Sequence, residues 1–421
     1  MESPEIVQQG PDYVAIFEHI QFRYSKLKEH TEGYSAILRV SVQDYPGIGT
    51  GELFDGRYQL FGPSAKRDVA RALGERIREE DWAAYLTVAA RSVISHIEEG
   101  MPVVDLGEGE LAEPNPPMLS PLLRQNEHTV LFGLGGTGKS TIALAAAACL
   151  DQGIAYIGDT AEQAKVLVLD WEDEEDNVRW RLDQLREGWG MSQRPNILWK
   201  RCDVSLNSMT DALTRQVTAQ RIQYLIIDSA AIACGLEPET ADAANTFFRV
   251  LRGLGRVGII GSLTLAHQPK ERERSNYPFG SIFWWNNPRA VWKAEKSQDE
   301  GASNLHVGLF HKKANNGPLS RPMAFNIEYS KDSIRLTSEQ VSKVSELREH
   351  IHANEQIEQT VSEWMIARKV GPTRAELRTL LMHLKKGTFD AAVSRLLHAG
   401  RITERNGRLS RIQADDGSLS L

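Results

Sequence analysis

Cysteine is scarce in this chain: three occur among 421 residues, Cys149, Cys202 and Cys234, far apart and in apolar or helical surroundings. That spacing excludes a disulfide framework and a zinc cluster, and makes the three residues core fillers. No apolar run approaches the roughly 20 residues that cross a bilayer. The N-terminus has neither a basic region nor an apolar signal core, so the sequence predicts a cytoplasmic protein with no membrane partner. A general excess of basic charge is missing too. With 49 Lys and Arg against 56 Asp and Glu, the net charge is −7, which argues against a uniformly basic, nucleic-acid-coating surface. Internal repeats are absent, and the only biased tract is a short polar tail at 414–421. What remains is a chain with 41% hydrophobic and 25% charged residues, the balance of a globular protein. Its length predicts two or three domains.

The most specific feature is GLGGTGKST at 133–141, which satisfies the pattern G-x-x-x-x-G-K-[ST]. Residues 129–132 read as a buried strand before it and 141–150 as an Ala- and Leu-rich helix after it, the context that such a loop needs. Gly133, Gly135, Gly136 and Gly138 let successive backbone N–H groups turn toward one anion at a helix N-terminus, with Thr137 and Thr141 completing the phosphate-binding set. Lys139 reaches the β- and γ-phosphates, and the Ser140 hydroxyl faces Mg2+. The expected ligands are therefore ATP and Mg2+.

Composition divides the chain. Residues 1–104 contain period-two stretches at 13–20 and 34–42, then helical patterns at 65–77 and 82–98, and read as a small α+β module without nameable chemistry. The acidic, Pro- and Gly-rich stretch 105–117 reads as a linker. Residues 118–336 carry short continuous apolar runs at 130–132, 166–169, 224–227, 259–265, 291–294 and 306–310. Continuous apolarity means burial on both faces, and so an α/β domain with a mostly parallel sheet covered by helices. In 341–413, 13 Lys and Arg stand against 8 Asp and Glu, a local basic excess. There Thr373 and Glu376 form a capping box, Thr388 precedes a helix over 389–398, and Asn406-Gly407 marks a hairpin. Helices at this spacing followed by a basic hairpin describe a winged helix.

Hydrolysis needs acidic residues beside the phosphate loop. Asp228, ending the run 224–227, is placed to organise Mg2+ together with Ser140. Glu172, in the acidic cluster after 166–169, is the chosen base for the attacking water. The same acidic run also reads as a solvated helix start, and the two readings apply to different members. His267, at the end of the next strand, stands where a γ-phosphate sensor would lie. The polar loop that follows, with Lys270, Arg272 and Arg274, reads either as a nucleic-acid contact or as solvated surface.

In their order these motifs resemble the RepA-like hexameric replicative helicases, within the RecA and DnaB type of ATPase, over roughly 118–330. GLGGTGKS is similar to the family phosphate loop, DWEDEED to its catalytic-glutamate motif, LIIDS to its metal-holding strand and AHQPK to its sensor. FGSIFWWNNPRAVW and HKKANNGP resemble the two later elements. The resemblance implies a RecA-like core in a homo-oligomeric ring, a hexamer, whose active sites are completed by neighbours. It makes Arg289 the arginine finger offered in trans and Lys313 its companion cation. The sequence departs from the pattern at Phe279, where an Arg is expected, and in having one sensor histidine instead of two.

The function that follows is a DNA-translocating ATPase, a replicative-type helicase of a mobile element or phage. It would hold single-stranded DNA in the ring, with duplex contacts at the winged helix through Lys385, Lys386, Thr388, Ser394, Arg395, Arg405 and Arg408. The alternative is a non-helicase ATPase switch or loader acting on DNA in recombination or defence. Strand displacement separates the two.

Overall fold

The structure is a computed structural model that describes residues 3–9, 12–30, 33–100, 103–107, 114–269, 277–341, 353–382, 384–398 and 400–411. Its N-terminal part is an antiparallel meander of β1 (Glu5–Gln9), β2 (Asp12–Phe17), β3 (Ile20–His30), β4 (Gly33–Tyr45) and β5 (Gly49–Gln59), in chain order across the sheet. Alternate residues such as Phe22, Tyr24, Leu38 and Val40 are buried against α1 (Pro63–Gly74) and α2 (Trp82–Glu99). The helical patterns of the sequence match both helices to within three residues. Residues 206–221 and 249–259 group with residues 1–114 into one compact unit, within which Arg256 Nη1 donates to Gln8 Oε1 at 3.3 Å.

The second unit opens with a short hairpin, β6 (Pro117–Leu119) and β7 (Leu123–Arg124). The main sheet then takes β8 (Glu127–Gly133), β9 (Val166–Asp170), β10 (Leu198–Arg201), β11 (Tyr224–Asp228), β12 (Gly261–His267) and β13 (Ala290–Ser297) as parallel strands. It continues antiparallel through β14 (Asn304–Ala314), β15 (Met323–Tyr329) and β16 (Ile334–Glu339). The order is β10-β9-β11-β12-β8-β13-β14-β15-β16, so β12 lies between the phosphate-loop strand and the strand ending in Asp228.

Successive strand residues alternate between two buried layers. Leu131, Ile226, Leu263 and Trp292 share a core with α3 (Lys139–Gln152) and α4 (Glu175–Trp189), while Val130, Phe132, Ile227 and Val291 are equally buried on the other face. The remaining helices of this stretch are α5 (Thr210–Gln220), α6 (Ala230–Ala233), α7 (Ala241–Gly255) and α8 (Phe283–Asn286). Trp284 of α8 is buried against Phe247 and Phe248 of α7. The fold is thus α/β, a mostly parallel sheet sandwiched between helices, as the continuous apolar runs predict.

The C-terminal residues have their own core. Helices α9 (Ala353–Arg368), α10 (Arg374–Leu380) and α11 (Lys386–His398) and the hairpin β17 (Ile402–Arg405) with β18 (Arg408–Arg411) enclose Ile357, Val361, Leu377, Phe389, Val393, Leu396, Ile402 and Leu409. The Thr373–Glu376 capping box forms on both sides, with Thr373 N donating to Glu376 Oε2 at 2.7 Å and Glu376 N to Thr373 Oγ1 at 3.2 Å. Asn406 and Gly407 take left-handed backbone angles of 52° and 73°, the turn their pairing predicts.

Candidate active site

The phosphate loop leaves β8 at Gly133 and enters α3 at Lys139, wedged against the sheet's later strands. A Cβ at Gly133 would stand 2.6 Å from the Ala294 carbonyl of β13, so only glycine lets the two strands run this close. Gly138 caps α3 at φ +77°, and a Cβ there would lie 3.2 Å from Ile327 of β15. Gly135 carries no such constraint, since a Cβ there meets nothing within 4 Å. Gly133→Ala is therefore expected to cost about 1–3 kcal/mol of unfolding free energy, read by chemical denaturation, through overpacking at Ala294.

Inside the loop, the Thr137 hydroxyl donates to the Leu134 carbonyl at 2.9 Å. Lys139 Nζ donates to the carbonyls of Leu134 and Gly133 at 2.8 and 3.1 Å. Burial lowers the pKa of this ammonium, and the nearby Asp228 and Glu172 carboxylates raise it in partial compensation. Ser140, on the first turn of α3, donates its hydroxyl to Asp228 Oδ2 at 2.6 Å. Thr141 is buried one residue further on.

Register brings the acidic groups to the same end of the sheet, since Asp228 pairs with Asp170 and His267 with Gly133. Burial pushes Asp228 up to about 6, with Glu172 and Asp170 adding to the rise. A buried carboxylate beside a hydroxyl is a hard oxygen pair that suits Mg2+, an ion that keeps most of its shell for water and phosphate. Among the described residues no cluster of three or more His, Cys, Asp or Glu side chains could hold a metal ion.

Glu172 stands just beyond β9. Its Oε1 accepts from the Ser229 hydroxyl and lies 3.4 Å from His267 Nε2. The His267 contact, the Ser229 hydrogen bond and Lys139 hold its carboxyl below its ordinary range, against the opposing effect of burial. The rest of the acidic run divides by role. Asp170 is buried and accepts from the backbone N–H of Glu172 and Asp173, both at 2.9 Å, and from Trp199 Nε1 at 3.2 Å. It shapes the turn that presents Glu172. Asp173 accepts from Asn177 and Arg181, while Glu174, Glu175 and Asp176 are solvated at the start of α4. Sequence reasoning passes over Asp170 and Ser229. Their signal is position alone, Asp170 being the last residue of β9 and Ser229 the first after β11.

Arg289 and Lys313 lie elsewhere. The Arg289 N–H donates to His128 O at the start of β8, and β13 then runs five residues before Ala294 comes level with Gly133. At about 3.3 Å per residue that is roughly 17 Å, beyond the reach of an arginine to its own phosphate loop. The side chain is exposed and has no hydrogen-bond or ion-pair partner among the described residues. Lys313 does not stand free. Its ammonium donates to the carbonyls of Trp285, Asn286 and Pro288 at 2.8, 2.9 and 2.6 Å, anchoring the segment that leads into Arg289. Burial, then the Arg289 charge, lower its pKa.

Of the residues assigned to nucleic acid, Lys270, Arg272 and Arg274 lie outside the described residues. Lys385, Lys386, Thr388, Ser394, Arg395 and Arg405 are exposed around α11 and the hairpin. Arg408 is engaged within the fold. Its Nη1 donates to Gly371 O at 2.8 Å and lies 3.7 Å from Glu376, tying β18 to the turn before α10.

Residues 97–273 match the AAA domain family. Among solved structures, a KaiC-like protein from the hyperthermophilic archaeon Pyrococcus horikoshii is similar at 16% identity. The similarity covers 54% of this chain and 98% of that one, with a TM-score of 0.38. No curated protein matches the chain. The family match spans the phosphate loop, Glu172, Asp228 and His267. Among the described residues no helix is long and apolar enough to cross a membrane.

Proposed function

We propose that this chain is an ATP-driven DNA motor, a replicative-type helicase of a mobile element or phage that works as a homo-hexameric ring and hydrolyses ATP between subunits. The observation that carries the reading is the separation of Arg289 from the phosphate loop. An arginine that is exposed and has no partner among the described residues, at one end of the parallel strands, and a carboxylate-lined loop at the other would complete one site between two copies stacked end to end.

In that site Lys139 and the loop N–H groups bind the terminal phosphates, and Ser140 and Asp228 would hold Mg2+, which when bound would neutralise charge on the phosphate oxygens. Glu172 accepts the proton of the attacking water as the new P–O bond forms and the bond from Pγ to the β–γ bridging oxygen breaks. Ser229 and His267 orient the Glu172 carboxylate for that step. Arg289 of the neighbouring copy meets the charge that develops on the transferred group. The exposed basic residues around α11 support duplex DNA binding by a winged helix, and the loop with Lys270, Arg272 and Arg274 is assigned to the single strand.

Strand displacement on a forked duplex, run beside ATP turnover and particle imaging with and without ATP, tests the reading. Unwinding that needs ATP, from closed six-membered rings, is the expected result. Turnover without unwinding moves the assignment to a non-helicase switch or loader acting on DNA, and a monomer that turns over at full rate ends the shared-site mechanism.

A further inference from the structure

We infer that Lys296 is a second cation of the phosphate pocket, supplied by the same chain and binding the phosphate groups of the nucleotide from the β13 side of the loop. The inference rests on the ATPase reading and adds a binding residue that none of the phosphate-loop motifs contains.

The placement follows from strand register. Ala294 of β13 lies opposite Gly133, the last residue of β8. Lys296 is two residues further along, on the same face as Ala294, so it runs past the end of β8 and overhangs the loop. Its Nζ lies 3.4 Å from where a Cβ on Gly136 would stand. Gly136 has φ +69°, in the turn whose N–H groups form the anion-binding concavity.

The charge of Lys296 is left unanswered. It is exposed and has no hydrogen-bond or ion-pair partner among the described residues. Neighbouring lysines are engaged: Lys293 is buried and paired with Glu295 at 2.5 Å, Lys312 lies over the Phe310 ring, and Lys313 holds three carbonyls. An ammonium beside a helix N-terminus and inward-facing N–H groups repels their partial positive charges. A polyanion reverses that balance, because one phosphate serves the loop and Lys139 while the adjacent phosphate faces Lys296. The ligand this arrangement takes is a nucleoside di- or triphosphate.

A binding residue of this kind separates KM from kcat. With the full chain, fluorescent ATP and ADP analogues give Kd, and steady-state turnover gives KM and kcat. Lys296→Ala is expected to raise Kd and KM by about tenfold and leave kcat within about twofold, while Lys296→Arg keeps Kd within about threefold. The side chain is exposed, so neither variant opens a hole in the core. Unchanged Kd and KM in Lys296→Ala, with the unaltered protein binding ATP, overturn the inference and leave the ATPase reading intact. A fall in kcat at constant KM also overturns it. Failure of the unaltered protein to bind either nucleotide overturns the ATPase reading, and the inference with it.

Discussion

Arg289→Ala is expected to lower ATP turnover by on the order of 10³- to 10⁵-fold while nucleotide affinity stays within about twofold. The size follows from the work assigned to a guanidinium in phosphoryl transfer, which meets charge that exists only in the transition state. The sparing of affinity follows from geometry, since Arg289 sits five residues down β13 from the level of the phosphate loop of its own chain. Mixing makes the test specific. Subunits carrying Arg289→Ala keep their own Glu172, and subunits carrying Glu172→Gln keep a normal Arg289. Each preparation alone is expected to be inactive, and a co-assembled mixture is expected to regain measurable turnover. No recovery from mixed assemblies of confirmed composition would sink the shared site. Lys313→Met gives an independent reading, because it frees the carbonyls of Trp285, Asn286 and Pro288 and loosens the segment before Arg289.

How far the chain can be read in advance varies with the range of the forces involved. The phosphate loop, the buried strands, the Thr373–Glu376 capping box and the Asn406-Gly407 turn are local: each depends on a few consecutive residues and a steric or hydrogen-bonding rule. Features set by distant residues are not legible. Nothing near 133–138 announces that Ile327 of β15 packs on Gly138, or that the Ala294 carbonyl closes on Gly133. The strands β15 and β16 themselves escape a reading of the sequence, since 323–329 and 334–339 mix polar with apolar residues at the antiparallel end of the sheet. Lys313 illustrates the limit. Its motif resembles an element that supplies a companion cation to the arginine finger, yet the side chain turns back to the carbonyls at the end of a four-residue helix. Likewise Asp170 and Glu172 are chemically alike in sequence, and only burial shows that the first builds the turn and the second faces the site.

Glu172→Gln is the other change expected to have a large effect, a fall in turnover of about 10²- to 10⁴-fold with ATP binding retained. The amide keeps the shape and can still meet Ser229 and His267, but it cannot take a proton from water. Asp170→Asn is a useful contrast, since it weakens the turn under Glu172 without touching the base itself and is expected to give a smaller loss. The pH dependence tells the carboxylates apart. Glu172 is held below its ordinary value of 4.5, so it is already ionised throughout neutral and mildly acidic solution and adds no limb there. Asp228 is raised to about 6 by burial, so its carboxylate is lost to protonation as pH falls through that value, and Mg2+ binding weakens with it. Ion and proton compete for one oxygen pair, so the acid limb of turnover is expected to move to lower pH as the Mg2+ concentration rises. An acid limb that ignores Mg2+ would remove Asp228 from the metal site, whereas Glu172→Gln at full turnover would remove Glu172 from the chemistry.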